Sequence, residues 1–377
     1  KPYRDERGLT VSEKTKTALV MAGGTGGHIF PGLAVAEALR ARGWNVHWLG
    51  APNSMESELV PQRGFAFEEV QFSGVRGKGL GTLLKAPGRL LSAISQSKAV
   101  LDRVQPDVVL GFGGYITAPA GIAASMRKIP VVLHEQNSVP GMANKWLART
   151  ARRVYTAFPN VLGQTAQAPF TDGKVSWVGN PLREGFLRQP NPSERFANRT
   201  GPLKLLVVGG SLGAKVLNDT VPQALSLLDP AQRPLVAHQS GAKQIEALQQ
   251  AYAQAGIEDA ALLPFIDDTA TAFAEADIIV CRAGASTVTE IAAVGAPALF
   301  VPFPHAVDDH QTTNARFLAQ AGGAWLVPQT ELTAQWLADF LKSVTRAELL
   351  DKAQKAKKLE KLQATGAIVA ACEELVA

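Results

Sequence analysis

Hydrophobic residues in this chain gather in short, near-continuous runs bounded by glycine, proline and small polar residues, the pattern of strands buried on both faces. The run at 17–21 (TALVM) predicts the first strand. It enters a loop containing Gly23, Gly24, Gly26 and Gly27, after which residues 31–40 carry helical spacing and 46–49 form another short apolar run. The order of strand, glycine loop and helix returns at 203–208, followed by Gly209, Gly210, Ser211 and Gly213 and then by 216–228. A second correspondence joins the halves. Pro-Asp-Val-Val-Leu-Gly-Phe-Gly-Gly at 106–114 and Ala-Asp-Ile-Ile-Val-Cys-Arg-Ala-Gly at 276–284 each deliver a β-rich run into a glycine turn. Each is followed by helical spacing and a proline-led strand, at 130–134 and 297–302.

This alternation predicts an α/β fold: two Rossmann-like, doubly wound parallel-sheet domains facing a cleft. All four glycine loops would lie at the carboxyl ends of strands, where such sheets bind ligands. A strand at 174–178 ends at Gly179-Asn180-Pro181, where proline removes the donor that a continuing strand needs. The domains are therefore placed at 15–179 and 180–359, after a flexible polar extension at 1–14. From 333 onward the spacing is helical. The last segment, 360–377, is expected to be a helix able to pack back onto the first domain, and the lysine-rich stretch 352–361 reads as a solvated helix face.

Composition narrows the class. In 377 residues, 46% hydrophobic and 19% charged side chains suit two folded domains and leave little for disorder. No apolar run approaches the roughly 20 residues that span a bilayer. Cys281 and Cys372 are too few for a disulfide framework and no signal-peptide pattern opens the sequence, so a reducing, cytoplasmic setting is expected. A net charge of +5 favours an anionic partner without choosing its kind. No nucleic-acid motif and no aromatic interleaving of basic residues occurs, so no nucleic acid is expected.

Glycine loops opening onto helices suit a diphosphate, because the backbone approaches closely and unpaired N–H groups face the ligand. A dinucleotide fingerprint fails: it needs glycine where Ile29 stands, and the strand at 46–49 runs into Gly50, Ala51 and Pro52 instead of a ribose-binding acid. The Walker pattern is also missing. His28, where the first loop becomes a helix, is a candidate base near neutral pH. His134 and Glu135, ending a strand in His-Glu-Gln-Asn, are a second candidate base or a capping cluster. In the second half, Ser286 and Thr287 precede a helix expected to start near Thr287, where they can cap it or touch phosphate. Glu290 fits either a capping box or a ribose diol. Gln311 and Asn314 could read sugar hydroxyls. No Asp-x-Asp occurs, so no obligatory catalytic metal and no cofactor is expected, and helix dipoles would stabilise a leaving diphosphate.

Between residues 71 and 100 there is no acid, and Val75, Arg76, Leu80, Leu83, Leu84, Lys85 and Arg89 mix apolar with basic character. This suits an anionic lipid surface, with Lys145, Arg149, Arg152 and Arg153 as an extension. An amphipathic helix packed on its own sheet accounts for the pattern equally well.

The segments GGTGGHIFPGLAVAEAL, GFGGY, PVVLHEQN, GNPLR, GGSLGA, FIDD, RAGASTVTEIAAVGAPALFVPF and DHQTTNA, in that order from Thr17 onward, resemble the MurG family. Its members are N-acetylglucosaminyltransferases that complete the lipid-linked disaccharide of bacterial peptidoglycan. The resemblance implies a B-type glycosyltransferase fold whose first half takes an undecaprenyl-diphosphate-linked acceptor at the cytoplasmic membrane face and whose second half holds UDP-N-acetylglucosamine. It implies donor contacts at Thr25, Gly26, Gly27, Asn137, Arg183, Ser211, Ile266, Ala285, Ser286, Thr287, Val288, Thr289, Glu290 and Gln311. Among these, Ile266 would meet uracil through its backbone and Glu290 the ribose. Ser211 and the turn at 285–287 would hold the diphosphate, and Gln311 the sugar. His28 and Tyr115 would lie towards the acceptor, with His28 deprotonating the attacking 4-hydroxyl in an inverting transfer and His134 and Glu135 as alternatives. The sequence departs from many relatives at Ala118 and Ala120, where they carry glycine. A UDP-sugar 2-epimerase would use similar loops without a lipid face, and a non-catalytic nucleotide-sugar or lipid-binding module would need no acceptor.

Overall fold

A computed structural model of the chain describes residues 15–72, 86–162, 173–210, 213–304, 306 and 309–377. The flexible extension placed at 1–14 lies outside them, as do Ser211 and most of the apolar and basic run after Phe72, namely Val75, Arg76, Leu80, Leu83, Leu84 and Lys85.

The first half runs β1 (Thr17–Met21), α1 (Gly26–Ala41), β2 (Asn45–Gly50), α2 (Met55–Gln62), β3 (Ala66–Glu69), α3 (Ala86–Val104), β4 (Val108–Gly111), α4 (Thr117–Met126), β5 (Val131–Glu135), α5 (Met142–Leu147), β6 (Arg153–Thr156) and β7 (Val175–Trp177). These strands form one sheet in the order β3-β2-β1-β4-β5-β6-β7, with parallel pairing from β3 through β5. All five residues of β1 are buried, which explains the continuous apolar run. Trp48 fills the layer beneath α1, and its Nε1 donates to Ala22 O at 3.0 Å.

The second half begins with short helices α6 (Glu184–Leu187) and α7 (Pro192–Phe196) and continues β8 (Lys204–Val208), α8 (Lys215–Ser226), β9 (Leu235–Gln239), α9 (Ile245–Gln254), β10 (Ala261–Leu263), α10 (Thr269–Glu275), β11 (Ile278–Cys281), α11 (Ala285–Val294), β12 (Ala298–Phe300), α12 (His310–Ala319) and β13 (Trp325–Leu326). Three helices close the chain, α13 (Ala334–Ser343), α14 (Arg346–Lys357) and α15 (Ala364–Val376). The second sheet, β10-β9-β8-β11-β12-β13, is parallel throughout.

Both sheets thus reverse strand order beside their first strand, and the duplication extends to single hydrogen bonds. Asp107, just before β4, accepts from Thr17 N at 2.7 Å; Asp277, just before β11, accepts from Lys204 N at 2.8 Å. Each aspartate caps the start of its half's first strand. Asp277 also receives Arg199 at 2.8 Å and Arg346 at 3.4 Å.

Two helix starts differ from the sequence expectation. The first helix begins at Gly26, not at residue 31, and α11 begins at Ala285, not at Thr287. In α1 the first two residues are glycines, each lowering intrinsic helix stability by about 1 kcal/mol relative to alanine, so propensity points past that loop; α11 opens on Ala285 and Ser286, with Gly284 as its cap. The lysines at 352–361 are also not simply solvated. Lys357 Nζ donates to Ala293 O at 2.5 Å, and Lys352 and Lys361 lie over the rings of Trp325 and Trp177 at 4.9 and 4.3 Å.

The chain divides into two compact units, one holding residues up to His134 with Gly141–Val154 and Thr365–Ala377, the other Glu135–Pro140 and Tyr155–Ala364. Glu373 and Glu374 of α15 pair with Arg42 and Arg153, each at 2.8 Å, within the first unit. Both cysteines are free and buried. Among the described residues no helix is long and apolar enough to cross a membrane.

Gly114 has φ +89°, and a Cβ there would lie 2.3 Å from Gly23 O. Gly114→Ala is therefore expected to destabilise the first unit by about 2 kcal/mol, read as a thermal midpoint lower by roughly 5 °C. An unchanged midpoint would show that the two loops can separate freely.

Candidate functional site

In each sheet the strand order reverses between the first strand and its central neighbour, and ligands of such sheets bind outside the carboxyl ends there. The segment after β1 and the segment after β4 occupy this position in the first unit; those after β8 and β11 do so in the second.

In the first unit, Thr25 is the N-cap of α1 and His28 its third residue. His28 Nδ1 lies 3.2 Å from Gly23 O and 3.3 Å from Thr25 Oγ1. A carbonyl only accepts, so Nδ1 carries the proton of the neutral ring and Nε2 the lone pair. His28 is half-buried. The Tyr115 ring lies 3.5 Å from the position a Cβ on Gly24 would take, and its centroid is 6.2 Å from that of Phe72. Burial, with the Glu56 carboxylate adding to it, raises the Tyr115 hydroxyl above its ordinary pKa. Ala118 and Ala120 fall inside α4, and Ala120 is buried.

The alternative bases sit elsewhere. His134 is 1% exposed, with its ring 5.9 Å from that of Phe112, and Glu135 is 2% exposed and accepts from Asn137 N at 2.9 Å. That hydrogen bond caps the turn that follows the strand.

In the second unit, α11 opens at the end of β11 with Gly284 as N-cap. A glycine cap has no side chain to pair with an acid, and Glu290 is the sixth helical residue, so the capping-box alternative fails. Glu290 instead sits 4.0 Å from Arg183, with 16% of its side chain exposed. Burial pushes its carboxyl up to about 7, against the opposing pull of Arg183. Ser286 and Thr287 are half-buried in the first turn, whereas Val288 and Thr289 point into the core. Ser286 Oγ has no hydrogen-bond partner among the described residues. Ile266, between β10 and α10, packs on the core beside the 62% exposed Phe265.

Gln311 Oε1 accepts from Ala283 N at 3.2 Å and Phe303 N at 2.9 Å, which turns its amide nitrogen away from both. Asn314 does not read a ligand as its type suggested. It is fully buried, receives Ser138 N and Oγ, and donates to Asn137 Oδ1 at 3.3 Å and Ala283 O at 3.2 Å, so it positions Asn137.

Two side chains that hold the glycine loops had no signal in the pattern. Glu56, fully buried on α2, accepts from Gly24 N at 3.2 Å. Gln239, at the end of β9, accepts from Gly209 N at 3.2 Å and donates to Gly210 O at 3.0 Å and Pro264 O at 3.2 Å. A glutamate in a helix's first turn and a glutamine after a strand look ordinary until their neighbours are known.

The glycosyltransferase family 28 N-terminal domain matches residues 18–156, and the family 28 C-terminal domain matches 204–369. The chain belongs to glycosyltransferase family 28. A relative from Acidovorax sp. (strain JS42) is 66% identical over 362 residues, 96% of this chain and 88% of the relative. One from Bordetella petrii is 55% identical over 358 residues, 95% and 97% of the two chains. Both are named UDP-N-acetylglucosamine--N-acetylmuramyl-(pentapeptide) pyrophosphoryl-undecaprenol N-acetylglucosamine transferase. The crystal structure of Acinetobacter baumannii MurG matches with a TM-score of 0.82 and 39% identity, covering 95% of this chain and 99% of that one. The glycosyltransferase of kitacinnamycin shares the fold, with a TM-score of 0.67 at 16% identity, over 96% and 99% of the chains. This family 28 enzyme is therefore a hexosyltransferase with a B-type glycosyltransferase fold.

Because Glu290 of the family 28 chain has a folded-state pKa near 7, above its ordinary 4.5, its neutral form favours the fold. That contribution is complete below about pH 4.5 and is lost as pH rises through about 7. Glu290→Gln is neutral at every pH and is expected to exceed the parent in stability by roughly 3 kcal/mol at pH 8. Parallel pH profiles of the two proteins in chemical denaturation would contradict this.

Proposed function

We propose that this enzyme transfers N-acetylglucosamine from UDP-N-acetylglucosamine to the 4-hydroxyl of undecaprenyl-diphospho-N-acetylmuramoyl pentapeptide, working peripherally on the cytoplasmic face of the membrane. The observation that carries the reading is the identity running through both domains to relatives named for this reaction.

In this reading the second unit holds the donor. Glu290 accepts from the ribose hydroxyls, and the main chain at Ile266 meets the base. The opening turn of α11, with Ser286 and Thr287, stabilises the departing diphosphate through unpaired N–H groups and the helix dipole. Gln311, its carbonyl end held by two backbone amides, offers its NH2 to the sugar. Arg183, 4.0 Å from Glu290, stands beside the nucleotide. The first unit receives the acceptor. His28 Nε2 takes the 4-hydroxyl proton as the oxygen attacks the anomeric carbon, the bond from that carbon to the diphosphate oxygen breaks, and UDP leaves with its electron pair. A single displacement inverts the α-linked donor to a β-linked product.

A lipid surface is supported by side chains on three helices packed together, α3, α4 and α5. Leu91, Met126, Met142 and Trp146 are exposed by 68, 59, 59 and 65%, and Arg149 lies 5.4 Å from the Trp146 ring. Met142 and Trp146 are four residues apart, hence on one face of α5, with Lys145 and Arg149 beside them. Arg89 is exposed near the start of α3, while Ala93, Ser97, Val100 and Leu101 are buried, so the helix is packed along most of its length.

UDP release that requires a lipid-linked muramyl acceptor is the decisive measurement; release without acceptor, or its absence with acceptor, rejects the reading. His28→Ala should lower kcat by roughly 10²- to 10⁴-fold, and near-parent turnover would remove His28 as the base. Met142→Ser with Trp146→Ser should weaken binding to anionic vesicles and leave turnover of a short-chain acceptor intact. Equal vesicle binding would detach this face from the membrane.

A further inference from the structure

The peptide group between Gly23 and Gly24 carries hydrogen bonds at both ends. Its carbonyl, Gly23 O, accepts from His28 Nδ1 at 3.2 Å; its amide, Gly24 N, donates to Glu56 Oε2 at 3.2 Å. Imidazole and carboxylate are thereby joined through one peptide group. Glu56 is 0% exposed, its other oxygen accepts from Ala51 N at 3.3 Å, and among the described residues no cation pairs with it. A buried carboxylate without a cation is unfavourable unless something offsets it. Its place as second residue of α2, facing the positive end of that helix, supplies part of the offset. The backbone beside it must be glycine. A Cβ on Gly23 would meet Glu56 Oε1 at 2.4 Å, and one on Gly114 would meet Gly23 O at 2.3 Å.

An amide whose N–H is held by a carboxylate is polarised, and its carbonyl oxygen becomes a better acceptor. We propose that Glu56 is the positioning residue of the reaction base, acting on His28 through the intervening peptide to fix the Nδ1–H tautomer and raise the basicity of Nε2. This rests on His28 being the base. In hydrolases of the Ser-His-Asp kind the carboxylate touches the imidazole directly; here one peptide unit lies between, so the effect is smaller.

The other ionisable groups on the neighbouring elements are accounted for. Tyr115 faces Glu56 from the segment after β4. Glu37 of α1 pairs with Arg63, Glu58 of α2 is exposed, and His47, Glu68 and Arg103 on β2, β3 and α3 bond to one another. Of these, Tyr115 alone is coupled to Glu56, and it bears on the basic limb of a pH profile, not the acidic one.

Glu56→Gln keeps the volume and an acceptor for Gly24 N but removes the charge. It is expected to lower kcat roughly 3- to 10-fold with the donor KM unchanged. The acidic limb of kcat should move several tenths of a pH unit lower, because a nearby negative charge favours the imidazolium. Glu56→Asp, which keeps the charge, should hold the limb close to its parent position. A folded Glu56→Gln protein whose limb does not move overturns the proposal, even if its turnover falls, since lost packing alone lowers kcat without shifting the limb. His28→Gln separates the role of the base from that of the relay. Near-parent turnover there rejects His28 as the base; lost turnover there with an unmoved limb in Glu56→Gln rejects only the relay. Should Glu56→Gln not fold, nitrogen NMR of the ring in the parent decides: a neutral form protonated at Nδ1 is expected, and one protonated at Nε2 overturns the proposal.

Discussion

Where the central strands of each sheet end, the segments leaving them must pass other backbone at direct contact. Gly114 rests against the Gly23 carbonyl, and Gly213, with φ +75°, lies so close to Ser240 O that a Cβ would be 2.0 Å away. No side chain fits in either place. This constraint brings bare peptide groups and helix starts to the same point in both units, and the chemistry follows from how each unit treats the peptides it has exposed. The first binds one of them with a carboxylate of its own, Glu56. The second holds its loop with the neutral amide of Gln239, which adds no charge beside a position suited to a diphosphate. A loop that already carries an anion suits a hydroxyl and its base; one that carries none suits a phosphate.

Much of this was legible in the sequence, for reasons that can be named. The strands Thr17–Met21, Val108–Gly111 and Ile278–Cys281 are buried on both faces, so their apolar runs are unbroken and their glycine exits plain. The repeat between halves also had a readable basis, since the aspartate before β4 and the one before β11 perform the same capping task. Helix starts were less legible, because glycine and serine in a first turn argue locally for a loop and only tertiary packing overrides them. Side-chain type left two readings for Glu290, of which its place in α11 removes the capping box, and it misled where type does not restrict geometry. Asn314 has the polarity of a sugar-binding residue, yet its amide is engaged by Ser138, Asn137 and Ala283. Glu56 could not be found from spacing at all, because its contact with the first glycine loop, at Gly24 N, spans 32 residues.

The duplicated plan also explains why one fold serves two substrates. The switch point, the strand cap and the glycine turn are shared, and they are matters of backbone. What differs is the second layer: a charged residue behind one loop, an amide behind the other, an aromatic pair beside Gly24 and an acid deep in α11. Changes there alter what is bound without disturbing the sheets.

Gln239 joins the loop after β8 to Pro264, just ahead of Ile266 and Phe265, through a single side chain. The two loops therefore share one anchor and cannot drift independently. A molecule long enough to touch both meets a surface whose parts are already in register, and its binding free energy is not drawn down by ordering one loop against the other. Such a surface works as a ruler: it favours a ligand by the separation of its two ends as much as by the chemistry of either.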